Sequence, residues 1–122
     1  MLNLQNICWH DAEIINIYIE YNKLIMKVKL EEEWNTISNI TMECNGFIGI
    51  NNLCIFDDII IDDVIIEKIY SESDDFLKKI SNTYSKNVEY DGRKLSNGII
   101  KINCRIINDI VFEIYCFEYY LY

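Results

Sequence analysis

The chain of 122 residues has no proline, four glycines, one alanine (Ala12) and one histidine (His10). With no pyrrolidine ring available to fix φ, its turns must rest largely on Asn and Asp, which tolerate left-handed backbone. Little Gly and no Pro also means no linker composition, so residues 1–122 are expected to fold as a single domain. Basic side chains are scarce, eleven against twenty acids, for a formal charge of −9. Such a surface repels phosphate, and the densest basic stretch (Lys23, Lys27, Lys29) runs directly into Glu31, Glu32 and Glu33, so nucleic acid is not an expected partner. Long apolar runs are missing as well. Ile59-Ile60-Ile61 meets Asp62 at once, and nothing approaches the roughly 18 uninterrupted apolar residues of a membrane helix. The opening MLNLQN lacks the basic start and apolar stretch of a secretory leader, which leads to the expectation of a cytoplasmic protein with no membrane association. The five cysteines are an odd set without a CxxC pair, which argues against a zinc ribbon or a disulfide framework. They read as reduced core side chains, and no cofactor is implied.

What is present is apolar and β-branched. Hydrophobic residues make up 51% of the chain and 25 residues are isoleucine, against 14 asparagines. An AT-rich coding sequence accounts for that bias more simply than selection for strands, but either way the core is built from stiff side chains. A chain of this length can bury about 65% of its unfolded surface, enough for a core without staples.

Two hairpins are legible. Ile15, Ile17, Ile19 and Tyr21 alternate along one strand, and Leu24, Met26, Val28 and Leu30 along the next, between Lys23, Lys27 and Lys29. A turn at Asn22-Lys23 predicts pairs whose numbers sum to 45, with Ile17 opposite Val28. At the other end, Ile100, Ile102, Cys104 and Ile106 face Ile110, Phe112, Ile114 and Cys116 only if the sum is even, which predicts a three-residue loop and a bulge. Ile40, Met42 and Cys44 give a third strand ending at Asn45-Gly46, and the aromatic tail YCFEYYLY a last one. Residues 53–70 fit strand or helix, with a strand over Val64–Tyr70 preferred. Ser71 to Asp74 can form a capping box, and Phe76, Leu77, Ile80 and Tyr84 lie on one helical stripe, opened by Asp74 and Asp75 and closed by Lys78, Lys79 and Lys86. The expected fold class is α+β: an antiparallel sheet of about five or six strands with one amphipathic helix packed on one face. Outward polar positions (Asn16, Glu20, Lys27, Lys29, Asn103, Arg105) predict that the other face meets water or a partner.

The candidate binding residues are Trp9, His10 and Asp11, and the acids Asp57, Asp58, Asp62 and Asp63 of FDDIIIDD. His10-Asp11 invites comparison with metal-dependent phosphohydrolases, but those need further histidines, and the chain has none. A cysteine–histidine nucleophile would pair His10 with Cys8, yet Asp11 and Glu13 do not supply the electropositive surroundings a thiolate needs. The four acids lack the ligand order of a calcium loop. No catalytic residue and no metal ligand set is therefore assigned. Structurally, Asp11 would cap a turn, Trp9 would pack and His10 would bond a backbone carbonyl.

The segment WHDAEIINIYIEYNKLIMKVKL, followed by NITMECNGFIGI, resembles the opening of a loose group of small bacterial β-rich domains. These begin with a histidine-aspartate-small residue signature and a hairpin, and some are grouped as immunity proteins of polymorphic toxin systems. The likeness rests on Trp9, His10, Asp11, Ala12 and Ile14 and covers the first half of the chain. It implies a non-enzymatic protein binder, and the acidic balance suits a basic toxin as partner. Two other readings stay open: a small-molecule-binding or enzymatic domain with a pocket around His10 and Asp11, and a homo-oligomeric structural domain.

Overall fold

Alternation of apolar and polar residues produces extended chain wherever one face can be buried. A computed structural model describes residues 2–51, 59–70, 74–83, 89–90, 92–106 and 109–122. Its strands β1 (Ala12–Glu20), β2 (Lys23–Lys29) and β3 (Asn39–Asn45) follow one another antiparallel. Then come β4 (Gly49–Asn51), β5 (Ile59–Ile61), β6 (Asp63–Ile69), helix α1 (Asp75–Thr83), the ribbon β7 (Glu89–Tyr90) and β8 (Arg93–Lys94), β9 (Ile99–Ile106), β10 (Asp109–Cys116) and β11 (Glu118–Leu121). They assemble as two larger sheets, ordered β11-β3-β2-β1-β5 and β4-β10-β9-β6, with β7-β8 separate.

This corrects the expected α+β architecture of one five- or six-stranded sheet under a helix. The protein is mostly β, and its main core lies between two antiparallel sheets. Met26, Val28, Met42 and Cys44 from the first sheet meet Ile102, Cys104, Phe112 and Ile114 from the second, all essentially without solvent contact. The helix is real but secondary. Leu77 closes a small cluster with Leu95, Ile99, Tyr115 and Phe117 on the outer face of the second sheet. There Gly49 permits close approach: a Cβ would stand 3.1 Å from Ile80 Cδ1 and 3.2 Å from Phe76 Cε1. Asp74 caps α1, its carboxylate accepting from the Leu77 N–H at 3.0 Å. The rest of the predicted capping box, and Tyr84 and Lys86, fall outside the described residues.

The first hairpin departs from its predicted register. Glu20 pairs with Lys23 and Ile17 with Met26, so the turn is Tyr21-Asn22, and a bulge at Ile15 then brings Ile14 opposite Val28. The bulge changes which residues face inward at the start of β1: Ala12 and Ile14 are buried and Ile15 is more than half exposed, while Ile17 and Ile19 stay on the face of Met26 and Leu24. In the last hairpin the even sum holds, with Phe112 opposite Cys104 and Ile114 opposite Ile102. It arises from a bulge at Val111 rather than from a three-residue loop, since Asp109 pairs with Ile106. The third strand, its bend at Gly46 (φ 63°), the strand over β6 and the aromatic last strand all form as expected.

The chain crosses between the two sheets at tight corners. β3 passes to β4 through Gly46 to Ile48, β5 to β6 through Asp62, and β10 to β11 through Phe117, whose N–H donates to the Asn45 carbonyl at 3.1 Å. Of the outward polar positions, Asn16, Glu20, Lys27 and Lys29 are exposed, but Asn103 is buried and donates to the Ile65 carbonyl and to Glu67.

Candidate functional site

One end of the sandwich gathers acids, an imidazole and an indole. The Ala12 N–H donates to the Trp9 carbonyl at 2.9 Å, closing a tight turn in which Asp11 takes φ 56°. Aspartate tolerates that left-handed conformation better than most side chains. The turn sends Trp9 into the core, only 5% exposed, and lifts His10 to the surface. The β5–β6 corner delivers Asp62 alongside, its N–H donating to the Arg105 carbonyl at 2.8 Å. His10 Nδ1 lies 3.1 Å from Asp62 Oδ1, and His10 Nε2 lies 3.4 Å from Asp11 Oδ2. The imidazole thus stands between two carboxylates with one nitrogen toward each.

Trp34 completes the group. Its ring meets that of His10 edge-on, with centroids 4.8 Å apart. The loop carrying it is clamped by Asn35, whose amide accepts from the Cys8 N–H and donates to the Cys8 carbonyl, both at 2.9 Å, and donates to the Glu31 carbonyl at 3.0 Å. The Asn35 side chain acts there as a short piece of strand. Trp34 remains 47% exposed and His10 49%, so the group faces solvent.

The structure therefore unites His10, Asp11 and Asp62 and separates them from the other predicted site residues. Trp9 is a core side chain. Asp63 is exposed, its carboxylate accepting from the N–H of Val64 at 2.9 Å. Asp57 and Asp58 lie outside the described residues. His10 lies against two carboxylates rather than at the backbone carbonyl expected of it. Sequence reasoning missed Trp34 and Asn35; the one available signal was an indole directly after three exposed glutamates.

Histidine Nδ1 or Nε2 and one oxygen from each aspartate, all within 4.8 Å of one another, are three atoms that could ligate a divalent cation. Each ring nitrogen has a different carboxylate nearest to it. As arranged, the ring occupies the place of a basic side chain held by two acids.

A second polar group is buried and serves a different purpose. Lys101 Nζ lies 2.8 Å from both Asp74 and Glu113 carboxylates, and the Tyr115 hydroxyl donates to Glu113 at 3.0 Å and to Asp74 at 3.2 Å. Burial would push the Asp74 carboxyl up, but the Lys101 ammonium and the Leu77 N–H outweigh it and hold the group below its ordinary range. Burial likewise opposes the charge on Lys101, and its two carboxylates more than restore it, so that ammonium holds its proton more tightly than usual. Burial and the same two acids push the Tyr115 phenol up. This network fastens the helix N-terminus to the second sheet.

The fold and this end together define a two-sheet antiparallel β protein with a solvent-facing acidic–aromatic patch. No family model matches the chain, and neither a curated protein nor a solved structure does.

Proposed function

We propose that the chain is a non-enzymatic binding module that receives a basic protein partner at the His10, Asp11, Asp62 and Trp34 end. The observation that carries this reading is the imidazole lodged between two carboxylates beside a half-exposed indole. A lysine or arginine presented by a partner finds the same two acceptors, with an indole face at hand for cation–π contact. The formal charge of −9 accelerates the approach of a basic partner. Asp63 and Glu31 to Glu33, all exposed, extend the acidic character along the chain on either side of the patch. The resemblance of the opening segment to immunity-type domains supports a basic toxin as that partner.

The test is a binding titration against the product of the neighbouring reading frame, with Asp62→Lys as the probe. The expected result is a complex whose affinity falls about tenfold or more in Asp62→Lys and weakens with salt. An Asp62→Lys protein that folds and binds as tightly as the parent, or no complex at all, removes the proposal.

A further inference from the structure

A second surface lies away from His10, on the open edge of the first sheet. Among the described strands β11 is an end strand there and pairs with β3. Tyr122 and Thr41 exchange both backbone hydrogen bonds, so by antiparallel alternation the backbone groups of Tyr119 and Leu121 point away from β3. The Leu121 carbonyl accepts from the Leu2 N–H at 2.9 Å. Tyr119 instead borders a groove of about 490 Å³, lined also by the part-exposed Ile100 and Tyr120 and by residues 97–99. That volume is within the range of small-ligand sites.

The walls bear charge of mainly one sign. Glu118 binds Arg93 through Oε1 and accepts from the Tyr120 hydroxyl through Oε2 at 3.0 Å, so its two oxygens are engaged while the guanidinium keeps further N–H donors. Lys68 stands across the groove, exposed and with no ion-pair partner among the described residues. Its placement depends on Gly98, at φ 94°: a Cβ there would come 3.0 Å from both Lys68 Cε and Tyr70 Cε1. The absent Cβ lets the lysine stem lie flat over the backbone. Two cations against one carboxylate make this a positively biased hollow on a strongly acidic chain, and the aromatic residues Tyr119 and Tyr120 line it.

We infer that this groove binds a small, flat aromatic carboxylate, its ring against Ile100, Tyr119 and Tyr120 and its carboxylate between Lys68 and Arg93. The inference stands independently of the acidic patch. The test titrates the full ¹⁵N-labelled chain with 1-naphthoate and follows amide shifts. The expected result is saturable shifts at Gly98, Ile99 and Tyr119, with affinity about tenfold weaker for uncharged 1-naphthamide and for the Lys68→Gln protein, the loss of one charge-assisted contact. Decanoate, an acid without a ring, should bind more weakly than naphthoate. Shifts that are absent or centred elsewhere overturn the inference, as does equal binding of the amide, an unaffected Lys68→Gln protein, or a preference for decanoate.

Discussion

Tyr21 occupies the first position of the β1–β2 turn at φ 57°, with 95% of its surface exposed. A left-handed backbone costs a residue with a Cβ about 1–2 kcal/mol, and here the side chain recovers nothing by burial. Tyr21→Gly should therefore raise stability by up to about 1 kcal/mol, less the entropy glycine adds to the unfolded chain, measured as an increased urea midpoint at constant slope. A lower midpoint would show that the phenol makes contacts the exposure does not suggest. Residue-scale reading of the sequence succeeded at the Gly46 bend and at Cys44, Cys104 and Cys116, which are buried as expected, while Cys8 is only half-buried. It failed at Trp34, which nothing in its own chemistry distinguishes from Trp9, the indole expected to pack; the two differ only in where the fold delivers them.

Among the elements, the helix depends most on a few polar contacts. Replacing Lys101 by methionine leaves the Asp74 and Glu113 carboxylates, each about nine-tenths buried, facing one another without their cation. Lys101→Met should cost about 3–5 kcal/mol, read by denaturant unfolding. The pH dependence has a definite sign. Asp74 titrates below its ordinary value of 3.8 in the folded protein, so its contribution is present above that pH and lost as pH falls through the lower folded value. Lys101, held above 10.5, contributes fully below that pH and ceases to contribute as pH rises through its folded value. The gap between parent and Lys101→Met should accordingly narrow below about pH 4; a gap independent of pH would mean that packing, not the ion pair, carries the loss. Periodicity found most elements, including β6 and α1, and the even register of the last hairpin, but not the register of the first. The pair Ile14-Ile15 is apolar on both sides of the period, so nothing local marks Ile15 as the bulged residue. Lys101 and Asn103 read as solvent-facing by the same alternation, yet Lys101 is taken up by Asp74 at the helix start and by Glu113, and Asn103 by Ile65 and Glu67 of β6.

For the molecule as a whole, what sequence pattern could not supply was sheet membership. Alternation identifies a strand with one buried face, and the same signal results whether a helix or a second sheet covers it. The segments 59–61 and 63–69 read as one ambiguous stretch, yet a single residue, Asp62, divides them between opposite sheets. That residue also belongs to the acidic patch, so the patch was no more legible than the corner that builds it. With one core shared by both sheets, unfolding should be a single transition: the most protected amides of β2 and β9 should exchange at the same free energy. A markedly lower value in one sheet would show the layers opening separately.

The corners carry a further implication. Since the chain is stitched from wall to wall at residues 46–48, at Asp62 and at Phe117, neither wall exists as a detachable half, and no cut yields a fragment with a finished lining. An insertion that spreads the seam at Asp62 would therefore shear both walls at once and pull His10's acidic neighbour out of reach, tying the integrity of the whole shell to the surface offered to a visitor.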